Sequence, residues 1–285
     1  MSSAQNYFIG LPQWQHESWD RGPLSGSGNP LRRYARHFNS VEGNTTFYGL
    51  PSVDTVARWA SNTPDDFKFC FKFRQEISHR SALTANHPLV MEQIERLEPL
   101  RSKIGLLCLQ LPKSFGADGL AQLDRFLAAL PDTYVYSVEV RNLEFFAKGE
   151  AERELNSILM HYQVNRVMFD TRPLFADIAT DAATLDAQKK KPRVPLHVLA
   201  TGQRPQVRFI APVEFERAEH YLDQWVAKVA KWLDMGLEPF LFFHTPDNRQ
   251  APELANWFVE KLELMCPDAS GFTPWQRTGE QDALF

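Results

Sequence analysis

Phe67-Lys68-Phe69-Cys70-Phe71-Lys72-Phe73 is the stretch whose reading decides the fold. Side chains alternate across a strand, so the four phenylalanines share one face and Lys72 lies on the other. A strand with so apolar an outer face needs helices packed against it, the arrangement of a parallel barrel. The phenylalanines then point outward, and Lys72 points inward near the carboxyl end of its strand.

Working outward, the same periodicity predicts strands over 7–11, 40–48, 104–111, 135–141, 164–170, 207–210 and 239–244. Helical patterns separate them, most clearly over 53–61, 89–97, 120–130, 150–162, 214–235 and 252–265. Alternating strands and helices imply parallel pairing, because parallel neighbours need crossover connections. The count of eight predicts a single-domain (βα)8 TIM-like barrel over 5–266 with an irregular C-terminal tail over 267–285. After the first strand the chain reads Leu11-Pro12-Gln13-Trp14 rather than G-x-G-x-x-G, which argues against a dinucleotide site. The least organised stretch, 175–206, is expected to be a long insertion between strands six and seven.

At 285 residues, with 44% hydrophobic and 23% charged residues, the chain can bury a large core without staples. The formal net charge of −4 excludes an overall basic footprint, so any anion site must be local. Cys70, Cys108 and Cys266 are odd in number and far apart, which suggests neither a disulfide framework nor a thiolate zinc site. The first residues show no signal-peptide pattern, and no apolar run is long enough to span a bilayer. The expectation is a cytoplasmic protein with no membrane partner.

Strand phasing gathers polar residues at one mouth. Glu42 and Asn44 face inward on strand two, Lys72 on strand three, and Glu139 with Arg141 on strand five. Gln110, Asp170, Arg208 and His244 close strands four, six, seven and eight in the same way, and His79 follows strand three. Barrel active sites lie at these carboxyl ends, and a purely structural interior would be Val, Ile and Leu. Mutual neutralisation of Glu139 by Arg141 or Lys72 is the bland alternative. The acids Glu42, Glu139 and Asp170 suit acid–base work or a divalent cation, although no ligand motif names a metal or other cofactor. Lys72, Arg141 and Arg208 suit phosphate or carboxylate. Lys189-Lys190-Lys191-Pro192-Arg193, with Arg172 upstream, reads either as a solvated loop or as a phosphate-contacting flap above the mouth.

Several blocks carry a family resemblance. Ser40-Val41-Glu42-Gly43-Asn44-Thr45-Thr46-Phe47-Tyr48, the block from Phe69 to Phe73 with Ile77-Ser78-His79, Leu109-Gln110-Leu111-Pro112 and Val138-Glu139-Val140-Arg141 resemble, in order, the blocks of the YecE-like family. That resemblance implies a TIM barrel of unknown function. Its outline is similar to that of the abasic-site nuclease of the endonuclease IV type, and nucleic-acid association has been suggested for it. The sequence lacks an evident ligand set for that nuclease's zinc cluster. Many members read G-T-S-G-W, R-L-H-G and F-N-N where this chain has Gly10-Leu11-Pro12-Gln13-Trp14, Arg208-Phe209-Ile210-Ala211 and Phe242-Phe243-His244.

The chain ends Gln281-Asp282-Ala283-Leu284-Phe285, which resembles the motif by which bacterial repair proteins dock on the sliding clamp. Gln281, Leu284 and Phe285 match, Asp282 and Ala283 do not, and a frayed or self-packed tail is the alternative. Three functions therefore stand as expectations. The first is a mouth pocket for a phosphate-bearing ligand, small molecule or nucleic acid. The others are a non-catalytic replication or repair accessory docking on the clamp, and a carbohydrate enzyme using Glu42 and Glu139.

Overall fold

The phenylalanine face of the third strand is buried as its alternation requires. Phe69, Phe71 and Phe73 are almost fully inaccessible, and Trp59 stacks on both Phe69 and Phe71. A computed structural model describes residues 5–20, 22, 24–80, 83, 87–176, 178–270 and 274–275. The clamp-like residues Gln281, Leu284 and Phe285 lie outside the described residues.

Eight parallel strands form the sheet: β1 (Phe8–Gly10), β2 (Ser40–Gly43), β3 (Lys68–Lys72), β4 (Ile104–Gln110), β5 (Tyr136–Glu139), β6 (Asn165–Asp170), β7 (Gln206–Ile210) and β8 (Phe240–His244). Sequential strands pair from β2 to β8, and β8 pairs with β1. The last seam, between β1 and β2, is bridged where the Glu42 amide donates to the Leu11 carbonyl at 3.0 Å, so the barrel is nearly closed. After the short α1 (Pro30–Tyr34), the helices α2 (Val53–Ser61), α3 (His87–Leu97), α4 (Leu120–Ala128), α5 (Glu150–His161), α8 (Glu219–Asp234) and α9 (Ala251–Met265) fall where the 3.6-residue pattern predicts them. No helix of the described residues is long and apolar enough to cross a membrane.

Two expectations are revised. The second strand does not run to residue 48: it stops at Gly43, and Asn44–Phe47 turn into a short 3-10 helix. The Thr46 hydroxyl, which donates to the carbonyls of Gly43 and Lys72, holds that turn against β3. The long insertion expected after β6 is present, and α6 (Arg172–Ala176) and α7 (Ala182–Lys190) lie in it. Asp181 caps α7 by accepting from the Thr184 amide at 2.7 Å. Beyond residue 266, Ala269–Ser270 pair in parallel with Gln5–Asn6, and the Trp275 amide donates to Asn256 Oδ1 at 2.9 Å.

Gly10 is where the seam is tightest. A Cβ there would lie 2.4 Å from the Ser40 carbonyl oxygen, which is backbone and cannot swing away. Gly10→Ala is expected to destabilise the protein by about 1–3 kcal/mol, read as a lowered urea midpoint. An unchanged midpoint would show that the seam yields.

Candidate functional site

The inward faces of the strands give the site its residues. Phe8, Cys70, Leu106, Phe240 and Phe242 pack as an apolar plug deep in the barrel. Above it, the last inward positions are Glu42, Lys72, Gln110, Glu139, Phe169, Arg208 and His244, all more than nine-tenths buried. Of these, Lys72, Gln110, Phe169, Arg208 and His244 line a cavity of about 600 Å³ at the carboxyl ends of the strands, and Glu42 and Glu139 adjoin it through Arg208. Its walls include Asn44, Phe47, Tyr48, His79, Arg141 and Lys191.

Arg208 is the centre of the layer. Its Nη2 donates to Glu42 Oε2 and its Nη1 to Glu139 Oε2, each at 3.1 Å. Its Nε lies 2.7 Å from Glu42 Oε1 without hydrogen-bond alignment. One guanidinium thus ties β7 to β2 and β5 across the interior, and it lies over the Phe169 ring at 4.8 Å. Glu139 also accepts from Arg141 Nε and Nη2 at 2.8 and 2.6 Å, and Lys72 Nζ stands 3.5 Å away. Lys72 in turn donates to Gln110 Oε1 at 2.6 Å. Asn44 donates to Glu42 Oε2 at 3.2 Å and to the Pro12 carbonyl at 3.1 Å.

The charges in this layer are unequal. Lys72, Arg141, Arg208 and Lys191 face two carboxylates, Glu42 and Glu139, while Lys190 and Asp186, also in the cavity wall, pair with each other at 2.6 Å. Burial alone would raise the Glu139 pKa, but Lys72, Arg208 and Arg141 outweigh it and hold the carboxyl well below the usual carboxylate range. Burial, then Arg208, Lys191 and Lys72, push His244 well below the ordinary histidine range. Burial and Arg141 lower His79 in the same sense. Both imidazoles are neutral at pH 7, so neither adds a charge. Lys191 is lowered to about 8, first by desolvation and then by Arg208.

Not every expected residue reaches the cavity. Asp170 and Arg172 do not: Asp170 points outward, accepting from Trp225 Nε1 on α8 at 2.8 Å and from Arg172 through both its oxygens. On β6 the outward positions are Arg166, Met168 and Asp170, which leaves Phe169 as the inward residue. Arg166 is satisfied outside the barrel by Glu152, Asn156 and the Phe145 carbonyl. In the lysine run, Lys190 and Lys191 line the cavity, while Lys189 and Arg193 are exposed and Arg193 stacks over Phe175 at 5.2 Å. Phe169, and the aromatic rim of Phe47 with the 74% exposed Tyr48, are wall residues that strand phasing alone does not mark. Among the described residues, no three His, Cys, Asp or Glu side chains are grouped to hold a metal ion. Cys70 and Cys108 are buried free thiols, and burial raises Cys108 to about 11, so neither acts as a thiolate at neutral pH.

Fold and site together define a (βα)8 barrel with a cationic cavity at the carboxyl ends of its strands. A family profile described as a protein of unknown function, DUF72, matches residues 8–277, and the chain belongs to that family. It is 46% identical over 261 residues to YecE of Escherichia coli strain K12, covering 92% of this chain and 94% of that protein. YunF of Bacillus subtilis is 31% identical over 68 residues, 24% of each chain. Among solved structures, a DUF72 family protein of Enterococcus faecalis superposes with a TM-score of 0.68 at 18% identity, covering 95% of this chain and 99% of that one. A second, from Thermotoga maritima, gives 0.67 at 20% identity, covering 90% and 99%. These structures share the fold.

Removing the Glu139 charge leaves Lys72 and Arg141 without their carboxylate and Arg208 with Glu42 alone. Glu139→Gln is expected to cost about 3–5 kcal/mol of unfolding free energy at pH 7. The folded-state pKa of Glu139 lies below its unfolded value near 4.5, so its contribution is complete above that pH and declines below it. The stability gap between wild type and variant, from denaturant titrations, should therefore narrow as the pH falls below about 4.5. A gap that stays constant would contradict the ion-pair account.

Proposed function

We propose that the barrel mouth binds an anionic, phosphate-bearing ligand. One observation carries this reading: with Lys190 paired to Asp186 in the cavity wall, Lys72, Arg141, Lys191 and Arg208 remain, and among the described residues Glu42 and Glu139 are the carboxylates that oppose them. Buried like charges repel one another, and an incoming anion relieves that repulsion where no further protein carboxylate does. Glu42 and Glu139 fix Arg208, and so preorganise the clamp rather than fill it. Lys72, Arg141 and Lys191 line the cavity and carry more N–H donors than their protein partners use.

The depth of the site favours a small molecule or a single protruding phosphate group over a broad polyanion surface. Of the basic run, Lys189 and Arg193 sit on the outside and Lys190 is paired with Asp186 at 2.6 Å. A nucleic acid would therefore be held through a group inserted into the mouth, with the exposed Tyr48 beside it as a stacking surface. The carbohydrate reading is less well supported, because Glu42 and Glu139 are both engaged by Arg208 and neither lines the cavity, where a glycosidic bond would have to lie between them.

Sulfate is the probe that tests this reading, because its charge does not change between pH 6 and 10. Calorimetric titration should show binding that weakens about tenfold between pH 7 and pH 9, as Lys191 loses its proton near 8. Lys191→Met should flatten that profile. Arg141→Ala should weaken sulfate binding by about tenfold, the loss of a charge-assisted hydrogen bond. Wild-type protein that binds no sulfate at any pH would sink the anion reading.

A further inference from the structure

Lys191 differs from the other cations of the cavity. Arg208, Arg141 and Lys72 are each held by a carboxylate or an amide oxygen at hydrogen-bond distance. The Lys191 ammonium makes no hydrogen bond and no ion pair among the described residues, although it lines the cavity. Its backbone is fixed, because its amide donates to the Ala187 carbonyl at 2.8 Å and caps α7. The next residue is also tied to the barrel, since the Thr171 hydroxyl donates to the Pro192 carbonyl at 3.3 Å. A primary amine is thus placed at the mouth, partly desolvated, beside a permanent cation and with nothing to hold its proton. Those conditions turn a lysine into a nucleophile.

We propose that Lys191 is a carbonyl-reactive amine, whose Nζ condenses reversibly with an aldehyde or ketone on a ligand whose anionic group sits among Arg141, Lys72 and Arg208. This rests on the anion reading above, and adds to it the second functional group of the ligand: a 2-oxo acid or a phosphorylated aldehyde or ketone. The nitrogen lone pair forms the C–N bond while the carbonyl π pair moves to oxygen. The two protons of the amine then leave with that oxygen as one water, so the imine forms with no change of oxidation state. The positive charge that Lys191 gives up as a free amine returns on the protonated imine, where the bound anion stabilises it.

Trapping tests the proposal. The full-length protein is incubated at pH 8 with glyoxylate, a small anionic aldehyde, and cyanoborohydride, and the modified lysines are mapped by peptide mass spectrometry. At that pH Lys191 carries far more free amine than an ordinary lysine, and its lower basicity offsets only part of that gain. The expected result is labelling of Lys191 about tenfold above Lys189 and Lys190, its exposed neighbours. In Lys191→Arg the label at that position disappears while Lys189 and Lys190 are still labelled, which shows that the probe reaches that surface. Saturating sulfate should suppress the Lys191 label selectively. Equal labelling of all three lysines, or none at Lys191, overturns the imine proposal. If wild-type protein binds sulfate while Lys191 goes unlabelled, the imine proposal alone has failed. If it binds no sulfate at all, the anion reading has failed.

Discussion

The guanidinium of Arg208 is the interaction on which the upper half of this barrel depends. It reaches from β7 to carboxylates on β2 and β5 and lies over the ring of Phe169 on β6. Four strands of a nearly closed sheet are thereby joined through one side chain in a buried layer at the floor of the cavity. Buried ion pairs are weak sources of stability, because desolvation cancels much of the attraction. Their value here is geometric: Arg208 and Glu139 each fix the position of more than one partner, so removing either disturbs several strands at once.

That constraint shapes the cavity. The apolar plug of Phe8, Cys70, Leu106, Phe240 and Phe242 gives the lower barrel an ordinary packed interior. The layer above it exchanges packing for charge, and the exchange is not neutral. Two carboxylates anchor the cations, and their number leaves positive charge over. Burial first, and the neighbouring cations after it, lower both Lys191 and His244. The helical insertion lays the end of α7 over this layer, so the part of the chain least patterned in sequence completes the wall of the site.

Much of this was legible in the residues. The Phe67–Phe73 alternation placed Lys72 inward, and equivalent phasing placed Glu42, Gln110, Glu139, Arg208 and His244 at the same level, as their burial shows. Phasing misplaced β6 because both faces of that strand carry polar residues. Arg166 and Asp170 find partners outside the barrel, in Glu152 and Trp225, that lie far away in sequence. The turn at Gly43 was hidden by the β-branched and aromatic residues Thr45, Thr46, Phe47 and Tyr48, which suit a strand until Thr46 bonds across to β3. The distinct position of Lys191 within a run of three lysines depends on the cap of α7, which no local pattern in the insertion announces. Family membership, shown by the match over residues 8–277, supplies the fold and leaves the chemistry to the site.

The central claim is that the charge surplus makes the mouth an anion receptor. Anomalous diffraction from crystals grown with selenate, a scattering stand-in for sulfate, tests it most directly. The account predicts a selenium peak inside the cavity, within hydrogen-bond reach of Arg141, Lys72 or Lys191. Selenate found only on the outer surface, with the cavity holding water alone, would contradict it.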